Sequence, residues 1–490
     1  MSTQDIAQTF EGLFDAGSSA ATAPMLALGV GVLLYLVCDL FDLLRPARPI
    51  VFLATIAASF VFELRILGME TPPGDVLLGS LRADSATALW GCLFLAGTLF
   101  AWVYSIGYYR ENLPFKAEHD ALMLTAPAGM MMMVGAGDLI AFFIGLELLS
   151  IPLYALAAFR RARMDSIEAG LKYFILGTFA AGFFLYGSAL LYAETGAIAL
   201  DALAASDLSS PMALTGLAFV SASLFFKISV FPFHLWVPDV YQGSPTPVAA
   251  LMATGTKAAA FGFLIEAVGI LPVGAAGTIA AIALITMLVG NLGALAQEDL
   301  KRMLAYSGIA HAGTMLLVIA GALALRAEGE AEAATGAMNA ALIYMGAYVF
   351  TATGAFGVLA LLESDGSRFT GLDSLRGLAR SRPALASAMT LFMLSLGGIP
   401  ATGGFLGKWF VFSVLVEAEM IGVAVLGVLL SVVALGYYLR VVVVLWMQPP
   451  PEGKAPPRTT RLSAGVATVC CSALVLLLGV LPGWYLDLLG

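Results

Sequence analysis

Runs of about twenty mostly apolar residues fill this 490-residue chain almost from end to end. They constrain its fold class more than any other feature. A helix needs about 20 apolar residues to cross a bilayer. In lipid every backbone amide and carbonyl must be satisfied internally, so only helices and closed barrels span. The runs here are continuous and do not alternate, which selects helices. Composition agrees: 60% of residues are hydrophobic, 12% are charged and the mean hydropathy is +0.92. A soluble domain carries about 25% charged residues. The reading is an all-α polytopic membrane protein with about 14 transmembrane helices. Its spans fall at 24–43, 49–68, 85–109, 118–136, 138–158, 168–194, 212–233, 245–271, 274–296, 302–322, 335–363, 384–413, 417–447 and 461–488.

The 24 basic residues test that division. Sixteen fall in loops after odd-numbered spans, counting Arg302 and Arg461 at the first residue of the following span, and only Arg82 and Arg326 in loops after even-numbered ones. The other six (Arg65, Lys172, Lys227, Lys257, Lys408 and Arg440) fall inside spans, beyond their first residue. Basic residues accumulate on the cytoplasmic side. The odd-span loops are therefore expected in the cytoplasm and both termini on the periplasmic side. The net charge of −9 says little about partners, because the acids lie mostly in loops and at the termini; with no basic face to meet phosphates, nucleic acid is not an expected partner. Cys38, Cys92, Cys470 and Cys471 form no CxxC and no Cys/His ligand set, so no metal is expected. Residues 1–23 contain no Lys or Arg, unlike a signal peptide. Phe10, Leu13 and Phe14 within them suit a short interfacial helix or a tail.

Chemistry concentrates where charge meets the membrane. The stretch Ser221–Glu266 joins two apolar segments through a Pro-rich connection, with Lys227 and Lys257 near the segment middles. A lysine at bilayer depth costs about 3 kcal/mol on insertion scales and marks a functional site by default. All four deep basic residues (Lys172, Lys227, Lys257 and Lys408) are lysines. Lysine changes protonation state readily on burial, whereas arginine stays charged. Four lysines and no arginine at depth suit proton transfer. Glu147, mid-way along span 5, needs a partner, and Lys227 or Lys172 can supply it. Opening such a pair would release the lysine proton. His234, just past Pro232, and His311 are secondary relay candidates. Each has a competing structural role: Lys172 as a snorkelling boundary residue, the histidines as packed core residues. Arg65 and Arg440 lie near span ends and can snorkel. His119 lies at a cytoplasmic span end.

An internal echo completes this reading. Lys227 precedes FPF in span 7, and Lys408 follows GGIPATGG in span 12, a span of opposite orientation. Gly/Pro-interrupted helices in oppositely oriented halves mark inverted repeats with ion sites near the midplane. Spans 4–8 and 9–13 then form two inverted five-helix repeats containing broken helices. The divisions are 24–117 for helices 1–3, 118–271 and 274–447 for the repeats, and 461–488 for helix 14.

The run FPFHLWVPDVYQGSPTPVAALMATGTKAAAFG resembles the signature region of the antiporter-like membrane subunits of proton-pumping NADH:quinone oxidoreductase, respiratory complex I. KRMLAYSGIAHAG and GGIPATGGFLGKW match too, and PDVYQGSPTP looks most like the N-type member. The resemblance implies proton-transfer roles for Glu147, Lys227, Lys257 and Lys408, and a match for Lys172. It implies no redox group in this chain: NADH, FMN, iron–sulfur clusters and quinone belong to partner subunits. Implied neighbours are M-type, K-type and J-type subunits and the lateral helix of the L-type subunit. The implied location is a bacterial inner membrane. A lysine at 408 favours N or L type over M, and a chain ending soon after span 14 argues against L. Thr256 stands where the family has proline. A multisubunit cation/proton antiporter and a ferredoxin- or hydrogenase-linked relative remain alternatives.

Overall fold

The computed structural model describes residues 16–112, 117–329, 333–363, 370–450 and 462–486. The Phe10–Leu13–Phe14 cluster and most of the loop at 448–460 lie outside them. Twelve helices among the described residues are long and apolar enough to cross a membrane. Two further segments complete fourteen crossings. Span 4 (Ala117–Val134) carries Glu118 and Asp120 in its first turn, and span 12 is divided into two helices of 15 residues each.

The apolar runs appear as helices with small shifts at the ends. Span 1 begins at Ala16 and not at 24, because Ala, Gly and Ser extend its first turns. Side-chain caps fix other starts. Asp138 accepts from the Ala141 amide (2.7 Å) at span 5 (Leu139–Ala157), Ser210 from Ala213 (3.1 Å) at span 7, and Asp299 from Arg302 (2.9 Å) at span 10 (Leu300–Ala327). Each supplies an acceptor to an otherwise unpaired amide.

Spans 7 and 12 are broken in the membrane. Span 7 runs as Pro211–Ile228 (7a) and Trp236–Gly243 (7b), so it continues past the expected end at 233. Span 12 runs as Pro383–Gly397 (12a) and Gly403–Glu417 (12b). The first halves end alike. Ser229 (φ 68°) and Gly398 (φ 82°) take left-handed backbone, and the amides of Val230 and Ile399 return to Phe225 O (2.8 Å) and Leu394 O (3.0 Å). Pro232 and Pro400 then bar further helix.

Loops sort into two faces. On one, the hairpin of β1 (Gly74–Val76) and β2 (Leu81–Ala83) follows span 2. The Arg82 amide bonds Gly135 O after span 4 (2.6 Å), Leu200 N bonds Gly137 O (2.9 Å), and Arg82 pairs with Glu266 at the end of span 8 (2.7 Å). On the other face, Leu300 N bonds Thr370 O (2.7 Å), and Asp239 pairs with Lys172 (2.9 Å) and Arg302 (2.6 Å). Even-span loops thus meet one another and odd-span loops meet one another, as alternating spans require. Span 8 (Thr246–Glu266), span 10 and span 11 (Ala333–Leu362) are buried along nearly their whole length and form the centre. Span 1, span 2 (Arg48–Leu67), span 6 (Met164–Thr195), span 9 (Ala276–Leu295), span 13 (Ile421–Trp446) and span 14 (Leu462–Val480) turn broad apolar faces outward.

Candidate proton-transfer site

Lys227 lies in the last turn of half-helix 7a, just before the break, and is buried. Its Nζ donates to Ser150 Oγ (2.6 Å) and to the Tyr173 hydroxyl (3.4 Å), and stands 5.5 Å from the Tyr173 ring centroid. Trp236 of 7b stacks on Tyr173 (4.6 Å) and donates to Phe226 O (3.1 Å), which ties the two halves together at this lysine. Ser150 follows Glu147 by three residues, so both occupy one face of span 5. Glu147 forms no direct ion pair with Lys227, and its Oε1 has no hydrogen-bond partner among the described residues. Lys227 is the lysine whose charge acts on Glu147. Lys172 instead lies at the odd-loop face, 41% exposed, between Glu168 (2.7 Å) and Asp239 (2.9 Å). His234 is buried within the span 7 break, its ring against Phe231 (5.7 Å).

Lys257 sits on span 8, where the helix continues unbroken through Thr256. The Thr256 hydroxyl folds back onto Met252 O (2.6 Å) in place of the expected proline. Lys257 Nζ donates to Gly308 O of span 10 (2.8 Å) and lies 5.8 Å from the Tyr241 ring centroid. Gly308 makes this contact possible, since a Cβ there would sit 2.6 Å from Nζ and 3.1 Å from the Tyr348 hydroxyl. Gly308→Ala is therefore expected to displace the amine and lower proton pumping several-fold while the complex still assembles. Pumping by vesicles matched for complex content checks this.

One turn along from Gly308, His311 joins three helices. Its Nδ1 meets the Tyr344 hydroxyl of span 11 (2.5 Å), its Nε2 the Tyr438 hydroxyl of span 13 (3.0 Å). Tyr438 also meets Ser307 Oγ (2.5 Å). With a hydroxyl at each ring nitrogen, the imidazole can give a proton on one side and take one on the other. The charges of Lys257 and Lys408 both reach His311. Lys408, on 12b, turns back across the break and donates to Leu396 O (3.1 Å) and Gly397 O (3.0 Å), the last carbonyls of 12a. A cation at a helix C-terminus is favourably placed. A cavity of about 680 Å³ beside it, bounded by Trp409, Phe412 and Leu435, opens between 12b and span 13.

The sequence reading missed Ser150, Ser307, Tyr344 and Tyr438. Tyr344 and Tyr348 lie one turn apart on span 11, with Thr351 a turn further, a spacing that marks a polar line inside a helix bundle. Among the described residues no group of three or more His, Cys, Asp or Glu is placed to hold a metal.

The family described as NADH:quinone oxidoreductase/Mrp antiporter, TM, matches residues 136–434, which include every lysine above. The chain belongs to this family. Within it, the chain is 41% identical to NADH-quinone oxidoreductase subunit N of Salinibacter ruber, covering 94% of this chain and 92% of that one. It is 39% identical to subunit N of Myxococcus xanthus, covering 94% of both. Its structure superimposes on a chain of Thermus thermophilus respiratory complex I with bound aureothin at TM-score 0.80 and 35% identity, covering 95% of this chain and 98% of that one. A chain of the Mrp complex from Dietzia shares the antiporter-like fold at TM-score 0.79, with 21% identity and 96% of each chain covered.

Proposed function

We infer that the chain is a membrane-arm, antiporter-like, proton-translocating subunit of NADH:quinone oxidoreductase. The buried line from Glu147 and Lys227 through Lys257 and His311 to Lys408 carries this reading, because each amine rests on neutral oxygens deep in the bundle. An ammonium held by carbonyls or hydroxyls, with no carboxylate in contact, can lose its proton without stranding a paired anion. Glu147 acts on Lys227 through space. As Glu147 and Lys227 separate electrostatically, Lys227 gives its proton toward Lys257. Lys257 passes it to the His311 group, and Lys408 releases it, with water bridging the gaps. His234 serves as a flanking relay group beside the span 7 break, and Lys172, held by Glu168 and Asp239, as a secondary group at the odd-loop face outside the buried line.

This chain supplies the proton path. NADH, FMN, iron–sulfur clusters and quinone are bound by partner subunits, whose electron transfer drives the path. The outward apolar faces suit lipid and neighbouring M-type, K-type and J-type subunits and the lateral helix of the L-type subunit. The setting is a bacterial inner membrane with odd-span loops cytoplasmic and both termini periplasmic. The chain divides into helices 1–3 (24–117), two five-helix units (118–271 and 274–447) and helix 14 (461–488). Matched packing supports the two units: spans 4 and 5 pair as 9 and 10 do, and span 8 meets span 4 as span 13 meets span 9. Gly129 against Gly145 in the first unit, and Gly290 against Ala310 with Gly313 against Ala283 in the second, bring the backbones of those first pairs into contact. A multisubunit cation/proton antiporter would share the fold, but identities near 40% to subunit N favour the oxidoreductase.

The test is NADH-driven acidification in vesicles. Lys408→Ala removes the group at the far end and is expected to lower pumping several-fold at matched complex content. A wild-type proton yield per NADH would place the exit elsewhere.

A further inference from the structure

By its place in the sequence Lys301 counts among the loop residues. In the structure it lies in the first turn of span 10 and is 2% exposed. Its Nζ donates to Ser244 O, between half-helix 7b and span 8. Two residues on, the Thr246 hydroxyl bonds Glu363 Oε2 (2.7 Å), and Glu363 is also buried, just past span 11. Lys301 and Glu363 therefore both hold the tight connection into span 8, at Ser244 and at Thr246. They make no direct ion pair, though the Glu363 charge acts on Lys301, as do those of Asp299, Arg160 and Arg163.

Two observations set Lys301 beside the membrane lysines and apart from the surface ones. The first is its partner. Lys257 rests on Gly308 O and Lys408 on Leu396 O and Gly397 O, and Lys301 likewise rests on a carbonyl. Lys172, by contrast, is half exposed and in contact with two carboxylates. The second is register. Gly308, the acceptor for Lys257, follows Lys301 by seven residues, which is two turns or about 10 Å along the same face of span 10. His311 follows three residues later. Span 10 thus carries Lys301, the carbonyl partner of Lys257 and His311 in sequence from the odd-loop face toward the bilayer centre.

We propose that Lys301 is a further proton-transfer lysine, the loading group on the odd-loop face, with Glu363 as its fixed counter-charge. The proposal rests on the proton-pumping reading above. The Lys301 ammonium breaks one N–H bond and gives the proton, through water, to the neutral amine of Lys257. Its own lone pair then binds a proton from the aqueous phase on the odd-loop side. No electron moves.

The test uses the complete complex in membrane vesicles, with assembly matched by co-purification of peripheral subunits and NADH:ferricyanide activity. Three variants are compared: Lys301→Arg, Glu363→Gln and Lys257→Met. Arginine keeps the charge and the bond to Ser244 O but does not give up a proton. Lys301→Arg is expected to lower proton pumping on the order of tenfold or more. Wild-type pumping by Lys301→Arg overturns the proposal and leaves only a structural role. If that variant fails to assemble, Glu363→Gln decides. Without its anion the ammonium is held less tightly, so the alkaline limb of the pumping rate moves to lower pH. An unmoved pH profile overturns the proposal. Lys257→Met separates the two claims: if it pumps normally the general reading fails, and if it alone loses pumping only the Lys301 assignment fails.

Discussion

Lys227→Met is expected to lower NADH-driven proton pumping by the assembled complex on the order of tenfold or more, and quinone reduction with it. Methionine keeps the length and apolar bulk of the stem, so the packing of 7a against span 6 survives. What disappears is the donor to Ser150 Oγ and the positive charge that acts on Glu147. Without that positive charge nearby, a carboxylate at this depth loses the group that favours its ionised form. Glu147 then holds a proton permanently, and the switch is locked in one state. Glu147→Gln should reproduce the loss from the other side. Quinone reductase rates at matched complex content check both, and wild-type rates in either variant would remove the pair from the mechanism.

Lys257→Met is expected to have an effect at least as large. Lys257 is the only basic residue on span 8, the most buried helix of the bundle. Its amine is the only side-chain proton donor placed on Gly308 O among the described residues. Nothing on span 8 can replace it: Thr254 and Thr256 are turned onto their own helix at Ala250 O (2.9 Å) and Met252 O (2.6 Å). A methionine there leaves the half that holds Lys227 without a route to His311. Assembly should be intact, because the substitution removes only one hydrogen bond, to a helix carbonyl.

The crossings and the deep lysines were legible in the sequence because both are one-dimensional signals. An apolar run of sufficient length must be a span, and a lysine inside it is conspicuous. The broken helices were legible in part. Pro232 and Pro400 announced the breaks, but nothing local showed that Trp236–Gly243 would resume as helix and carry span 7 onward. The role of Lys301 was hidden for a physical reason. It sits at a helix start, where basic residues usually meet solvent, and only the packing of 7b, span 8 and span 11 over it seals it from water. The hydroxyl partners were hidden likewise. Ser150, Tyr344 and Tyr438 come from three different spans, and their convergence on Lys227 and His311 depends on helix rotation, which apolar runs leave undetermined. Glu147 shows the reverse case. Its depth was plain from the sequence, and the structure separates the two lysines offered as partners by engaging Lys172 with Glu168 and Asp239.

The central claim is that protons cross through the buried lysines of this chain. Its most direct test is the number of protons delivered per NADH oxidised by purified complex in proteoliposomes, wild type against Lys257→Met, at equal NADH:ferricyanide activity. Slow acidification and a reduced proton yield are expected in the variant. Acidification at the wild-type rate and yield would contradict it.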